Sequence, residues 1–411
     1  METERKLRYY GWRVVLAANL GVMVGFSLYA YTFSIFMKPL AAQFGWNREA
    51  IAQGFAISAL TAAVCSPLAG RWLDRHGPRR LLVACIALFG GAFLLLGLLQ
   101  SGIWQFYLTC FMIGAVGNVI QMGYTHAIST WFSDYRGTAL GLVLAGEGIG
   151  LMVFPVLAQT LVAHIGWRAA YGVLGSLILL IGMPPAFLYA RARHADETEL
   201  HSSGRLGSTW QQGLRSYSFW IIVAVLFLDS ISINGAMTHQ VPLLTDRGIA
   251  AGSAASTVSV LGGASLSGRL STGWLLDRFP GPWVAFVLLM LASAGIFQLA
   301  RASSFPQASV AAALLGLGAG GTSSITPYLL TRYFGLRPFS TLYGLTWTFY
   351  ATAGGAGPVL LGHAFDRTGS YTSTLTLLSF ACALAAALML LLPRYHISKH
   401  GETLHASHCS S

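Results

Sequence analysis

Arg269 is the residue that most needs an explanation. It lies in the run Ser265–Gly281, SLSGRLSTGWLLDRFPG, among Leu261, Leu266, Leu270, Trp274 and Leu275, and the next acid is Asp277. On a helix rising 1.5 Å per residue that acid is about 12 Å away, so the guanidinium sits well inside any layer the run crosses. An arginine in hydrocarbon costs roughly 2.5–3.5 kcal/mol on insertion scales, so it must face protein or water and have a task. Its chemistry is a planar, permanently charged fork of donors that matches a carboxylate. Two acids share its depth: Glu147, about 15 Å in from Gly137, and Asp229, about 18 Å in from Tyr217. Burial favours the protonated form of a carboxyl, and a neighbouring Arg⁺ opposes that. An anion competing for Arg269 would release such an acid to take up a proton. Either acid could serve. The competing role for Arg269 is a structural ion pair with Asp229 or Glu147.

The elements that must position these groups follow from composition. Of 411 residues, 55% are hydrophobic and 9% charged, more apolar surface than a soluble fold of this length can hide. The fold class expected is an all-α polytopic membrane protein. Runs of about 20 apolar residues give twelve spans, near 12–37, 50–72, 80–100, 103–130, 137–163, 168–190, 217–244, 252–276, 282–301, 305–330, 340–364 and 371–393. The first run follows Arg5, Lys6, Arg8 and Arg13, as a signal peptide would, but it continues to Met37 and reads as a span. The charged, Ser/Gly-rich stretch 191–216 reads as a cytoplasmic linker. It separates an N-terminal six-helix bundle (1–190) from a C-terminal one (217–393), followed by a tail, 394–411.

The net charge of +11 is spread over alternate breaks, which points to a membrane and away from nucleic acid. With both termini cytoplasmic, eighteen of the 25 Lys/Arg fall in cytoplasmic breaks and six in outer ones, Arg269 being the remaining one. Compact loops point to a prokaryotic inner membrane. Cys65, Cys85, Cys110, Cys382 and Cys409 have no paired spacing, so neither disulfide framework nor zinc site is expected. His396, His400, His405, His408 and Cys409 read as a disordered end. No cofactor or metal is expected, and no His-Glu-x-x-His or Gly-x-Ser-x-Gly pattern points to an enzyme. Glycine runs at 146–150 and 316–321 read as helix packing, and Pro155 and Pro358 as kinks.

The halves repeat at an offset of 203. Pro39 answers Pro242, Gly141-Leu142 answers Gly344-Leu345, Pro155 answers Pro358 and Gly166 answers Gly369. Such a repeat implies two pseudo-symmetric bundles around a central pathway. It also pairs Tyr31 with Asn234, Ser66 with Arg269 and Glu147 with Tyr350, so the halves differ where the residues are polar. Gly70, Asp74 and Arg75, followed by Gly77, Arg79 and Arg80, recur as Gly273, Asp277 and Arg278. These turns are expected to pair with neighbouring helix ends and gate by latching the halves in one state.

The pattern Gly70-x-x-x-Asp74-Arg75-x-Gly77-x-Arg79-Arg80 resembles the loop motif of the major facilitator superfamily. The stretch Trp131-Phe-Ser-Asp-Tyr-Arg-Gly-Thr-Ala-Leu-Gly-Leu142, with Phe44-Gly-Trp46, Gly357-Pro358 and Phe365-Asp366, is similar to the branch of monocarboxylate and oxalate/formate transporters. That resemblance implies alternating-access transport, with a span 8 arginine, four residues before a glycine, gripping the substrate carboxylate. Arg269 and Gly273 match it. Tyr31 and Trp347 match cavity-lining positions of the oxalate branch, and Gln121 stands where relatives often have tyrosine. The chain departs at Tyr350, where the oxalate/formate antiporter has a second cation. It departs again at Ser265 and Tyr31, where vertebrate-type monocarboxylate transporters have an acid and a lysine. One cation favours one carboxylate. The substrate site expected is therefore Arg269, Tyr31, Gln121, Asn234, Trp347, Tyr350 and Ser265, with Glu147 or Asp229 as proton carrier. His126 and His239 are expected to make ordinary hydrogen bonds. The function expected is proton-coupled symport of a lactate- or pyruvate-like monocarboxylate by a monomer. The alternatives are oxalate/formate-type exchange, transport of another organic anion, or a transporter-like sensor.

Overall fold

Inside a bilayer every backbone N–H and C=O must be paired within the protein, and a helix does this within one segment. The computed structural model describes residues 4, 6, 9–100, 102–190 and 209–393. Positions 191–208 of the expected linker, and the tail with its histidines and Cys409, lie outside the described residues. The helices are α1 (Tyr10–Phe44), α2 (Arg48–His76), α3 (Pro78–Gly97) and α4 (Ile103–Trp131). Then come α5 and α6 within Arg136–Tyr189, α7 (Tyr217–Asp246), α8 (Ala251–Leu276) and α9 (Gly281–Leu299). The last are α10 (Phe305–Phe334), α11 (Phe339–Thr368) and α12 (Thr372–Met389). A short helix, Trp210–Arg215, opens with a capping box between Thr209 and Gln212 and leads into α7.

Nine of these stretches are long and apolar enough to cross a membrane. One, Arg136–Tyr189, has 54 residues and is two spans joined without a loop. Gly166, at φ 79° and ψ 163°, turns the chain there and divides α5 (136–165) from α6 (167–189). α8 and α11 are not among the nine, and they carry Arg269 and the pair Trp347 and Tyr350. Twelve spanning helices result among the described residues. α1 is interrupted at Val24–Gly25 and runs to Phe44, and α6 contains a π-helical turn at Ile178–Gly182.

α2 packs against α4 and α11, α5 against α1 and α8, α8 against α10, and α7 against α11. Two of these contacts join the first six helices to the last six: α2 with α11, and α5 with α8. Both close through glycines, because backbones can approach only where no Cβ intervenes. A Cβ on Gly141 would stand 2.7 Å from the Arg269 carbonyl oxygen, and one on Gly344 would stand 2.5 Å from that of Ser66. One on Gly273 would be 2.6 Å from the Gly137 carbonyl, and one on Gly70 would run into that of Ser340. These four glycine contacts form two pairs related by the same offset of 203.

Candidate functional site

Between the two interfaces lies a cavity of about 100 Å³, bordered by α4, α5, α7, α8, α10 and α11. By the measure on which one water needs about 10–15 Å³, it has room for a small organic solute. Gln121, Glu147, Asp229, Arg269, Trp347 and Tyr350 line it, and sequence reasoning named all six.

Arg269 reaches across from α8 to α5. Its Nη1 donates to the Leu144 carbonyl oxygen at 2.8 Å and to Glu147 Oε2 at 2.8 Å. The Glu147 ion pair, one of the two competing roles named for Arg269, is thus present, whereas Asp229 is not its partner. Arg269 Nε is buried without a hydrogen-bond partner, and Nη2 makes no hydrogen bond among the described residues. The Nε–Nη2 edge is thereby left as an unused two-donor fork, the geometry that a carboxylate fits. The other Glu147 oxygen accepts from the Tyr31 hydroxyl at 3.3 Å. Asp229 is 3% exposed, lies beside Thr322, and keeps Oδ1 without a partner.

Tyr31 therefore meets the site through Glu147 and does not line the cavity. Asn234 donates to the Ser230 carbonyl oxygen at 2.9 Å and stands beside Tyr350, behind the lining. Ser265 is buried with its backbone against Gly320 of α10, where a Cβ would collide with the Ser265 carbonyl oxygen. Sequence reasoning passed over the hydroxyl row Thr322, Ser323 and Thr326 on α10, and Tyr343 and Thr346 on α11. The row directly follows the 316–321 glycine run. His239 Nε2 is 3.0 Å from the Pro358 carbonyl oxygen, away from the cavity.

At one end of the cavity the halves are tied together. Asp74, in the last turns of α2, accepts from Ser340 N and Thr341 N at 2.9 Å each and from Thr341 Oγ1 at 2.7 Å. It caps the first turn of α11, where amides are otherwise unpaired and the helix dipole favours an anion. Asp277, just past α8, does the same for α5: it accepts from Gly137 N at 2.6 Å and from Thr138 N at 2.8 Å, and also from the Thr138 hydroxyl. Burial pushes the Asp277 carboxyl above its usual range, against the pull of its bonds to Thr138 and Gly137. His126 Nδ1 lies 2.7 Å from Ser340 Oγ and 3.8 Å from Asp74 Oδ1.

The basic motif residues turn away from the caps. Arg79 lies over Phe187 and Arg278 over Trp274, while Arg75 and Arg80 are exposed. Gly77 ends α2 at φ 76°. Among the described residues, the hydrogen bonds joining the two halves all lie between this end and the level of Glu147 and Thr348. This conformation is closed at the motif end.

Residues 16–358 match the family model of the Major Facilitator Superfamily. The chain belongs to that superfamily. It is an integral, multi-pass membrane transporter and not an enzyme. Monocarboxylate transporter 13 of Bos taurus is 26% identical over 94% of this chain and 90% of its own. Among solved structures, FucP in the outward conformation superposes with a TM-score of 0.76 at 15% identity, covering 94% of this chain and all of FucP. The human organic anion transporter MFSD10 gives 0.72 at 16% identity, with 94% and 100% covered. At these identities the structural likeness carries the fold. Arg269 lies between the two bundles, bonded across them to Leu144 and Glu147.

Proposed function

We propose that this transporter moves a monocarboxylate together with a proton. The observation that carries the reading is the unpaired Nε–Nη2 edge of Arg269, with Glu147 held on Nη1 of the same guanidinium. The similarity to monocarboxylate transporter 13 supports it, as does Arg269 being the one cation that lines the cavity among the described residues, which suits one carboxylate.

Charge counting gives the coupling. Empty, with Asp229 carrying no charge, the site holds Arg269⁺ and Glu147⁻ and is neutral. A bound carboxylate alone would leave it with one excess negative charge in a low-dielectric interior, which opposes reorientation. If the anion takes the guanidinium and Glu147 accepts a proton, the loaded site is neutral again. Both neutral forms can rock between faces; the anion by itself cannot. Asp229, without a guanidinium partner, is the second candidate carrier. In this reading the motif end faces the cytoplasm of a prokaryotic cell, as the Lys/Arg distribution favours, so the closed state described here opens outward. A single chain suffices, because one monomer holds the whole cavity.

The test is uptake of labelled L-lactate into proteoliposomes, with and without an acid-outside gradient. Wild type should accumulate lactate only with the gradient, and Arg269→Ala should lose uptake by about a hundredfold or more, as expected when a buried charge pair loses one partner. Glu147→Gln should abolish gradient-driven accumulation while keeping counterflow of preloaded lactate. Uptake that survives Arg269→Ala would remove that residue from the centre. Accumulation that survives Glu147→Gln but fails in Asp229→Asn would move the proton to Asp229. Rapid counterflow in wild type, with no response to the gradient, would mean exchange.

A further inference from the structure

Beside the polar cavity lies a second one, of about 50 Å³, bordered by Phe26, Ala59, Ala62, Ala63, Ser66, Asn118, Trp347 and Ala351. Trp347 belongs to the walls of both. Asn118 and Gln121 sit one helical turn apart on α4, the first facing the smaller cavity and the second the larger.

The repeat explains why the two differ. At the offset of 203, Phe26 answers Asp229, Ala62 answers Ser265, Ser66 answers Arg269 and Asn118 answers Gly321. Two positions of the small cavity, Phe26 and Ser66, are thus the counterparts of the charged residues Asp229 and Arg269 of the larger one, and neither carries a charge. Its two polar side chains satisfy each other: Asn118 Nδ2 donates to Ser66 Oγ at 2.8 Å, and Ser66 Oγ donates to the Ala62 carbonyl oxygen at 2.6 Å. Neither is among the buried polar atoms lacking a partner, whereas Asp229 Oδ1 and Arg269 Nε in the larger cavity are. Nothing in the small cavity calls for a water or a polar ligand. A void lined by alanine methyls and aromatic rings, with no unpaired donor, favours an apolar occupant.

We infer that this cavity is the subsite for the hydrocarbon tail of the transported monocarboxylate. The substrate lies along Trp347 with its carboxylate on the free edge of Arg269 and its tail among Ala59, Ala62 and Ala351. This rests on the carboxylate reading above and sharpens it: the preferred substrates are monocarboxylates with an aliphatic tail longer than that of lactate or pyruvate. The space corresponds to roughly three to five tail atoms, taking about 10–15 Å³ for each water-sized group.

The experiment uses the full chain in proteoliposomes. Uptake of labelled pyruvate is competed by the unlabelled 2-oxo acids from pyruvate to 2-oxohexanoate, which stay ionised near neutral pH. Burial of one methylene corresponds to about a fourfold gain in affinity, so wild type should show competition rising about sixtyfold across the three methylenes of the series. Ala59→Leu, from α2, and Ala351→Leu, from α11, each fill the space from one side, and each should flatten the series to within about threefold. The readout is a ratio within one sample, so it does not depend on how much variant folds; Ala59→Val offers a smaller intrusion with an intermediate slope. A flat series in wild type, or a steep one that survives both leucine variants, overturns the subsite while leaving carboxylate transport standing. Failure of every 2-oxo acid to be taken up or to compete overturns the carboxylate reading, and the subsite with it.

Discussion

The α2–α11 and α5–α8 interfaces are two copies of one design that agree at one end and part company at the other. At the motif end they match contact for contact. Asp74 caps the start of α11 and Asp277 caps the start of α5, through amides and a threonine hydroxyl in both cases. Gly70 meets Ser340 as Gly273 meets Gly137, and Gly344 meets Ser66 as Gly141 meets Arg269. Half-way along, the match ends: one interface continues into Arg269 and Glu147, and the other into Ser66 and Tyr350. Closing the pathway requires two surfaces to approach backbone to backbone, and both copies meet that demand with the same small residues. Holding an asymmetric solute requires the copies to differ, and there one carries charges and the other does not.

If that division is right, substitutions at the shared contacts should hurt equally in the two interfaces, whatever happens at mid-depth. The largest effect is expected from Gly141→Leu and Gly344→Leu, whose Cβ atoms would meet carbonyl oxygens at 2.7 and 2.5 Å. Overpacking costs about 1–3 kcal/mol where neighbours can shift, and backbone has little freedom to do so. Both variants should therefore lose transport about a hundredfold and hold the motif end open. Spin labels at Arg71→Cys and Arg337→Cys, two exposed positions bordering one cleft at that end, should report a longer separation. A variant that closes normally, or a large disparity between the two, would show that the interfaces are not equivalent where they touch.

The depth to which the sequence was readable follows the same division. Spans stand out because a lipid-facing helix must be apolar along its length, and even α8 and α11, which fall short of the nine stretches apolar enough on their own, still read as runs of about 20 apolar residues. The break at Val24–Gly25 leaves no change in hydropathy to detect, whereas the sequence marks the span boundary at Gly166, near 163–168, without showing that the two helices join without a loop. At the site, Arg269, Glu147 and Asp229 were legible because a charge in an apolar run is costly. The row Thr322, Ser323 and Thr326 was not, because hydroxyls in these helices commonly bond the preceding turn. Thr125 bonds Gln121, Ser232 bonds Leu228 and Thr352 bonds Thr348 in this way, and nothing in the chain marks which hydroxyls face a cavity. Glu4 was equally hidden. Its carboxylate accepts from the Ser133, Asp134 and Tyr135 amides ahead of α5, a contact across more than a hundred residues.

A middle-sized effect tests the caps. Asp74→Asn and Asp277→Asn each keep the shape but lose the charge, and an amide can accept with only one oxygen. Hydrogen bonds to a charged group contribute about 1.5–3 kcal/mol, so roughly a tenfold shift toward the open motif end is expected from each, read from the same pair of spin labels. The Asp277 change should be the milder. Its carboxyl already bears a desolvation penalty that raises it above its usual range, and a neutral amide is spared that penalty. Equal and additive shifts would mean independent latches; a double variant no worse than either single one would mean that the halves release together.

The smallest effect probes one place where the motif ends themselves differ. His126 lies against Ser340 and Asp74, and its counterpart 203 residues on is Leu329. Replacing His126 by leucine gives both latches a leucine at this position. The Ser340 hydroxyl then loses its contact with the ring, a neutral bond of about 0.5–1.5 kcal/mol, while the Asp74 cap on the Ser340 and Thr341 amides stays in place. The closed state should weaken only a few-fold, with lactate uptake falling by no more than about fivefold. The response to the proton gradient should be kept, because Glu147 sits on the other interface. Loss of gradient-driven accumulation in His126→Leu, with counterflow preserved, would move proton coupling from the site where the halves diverge to the latch where they agree.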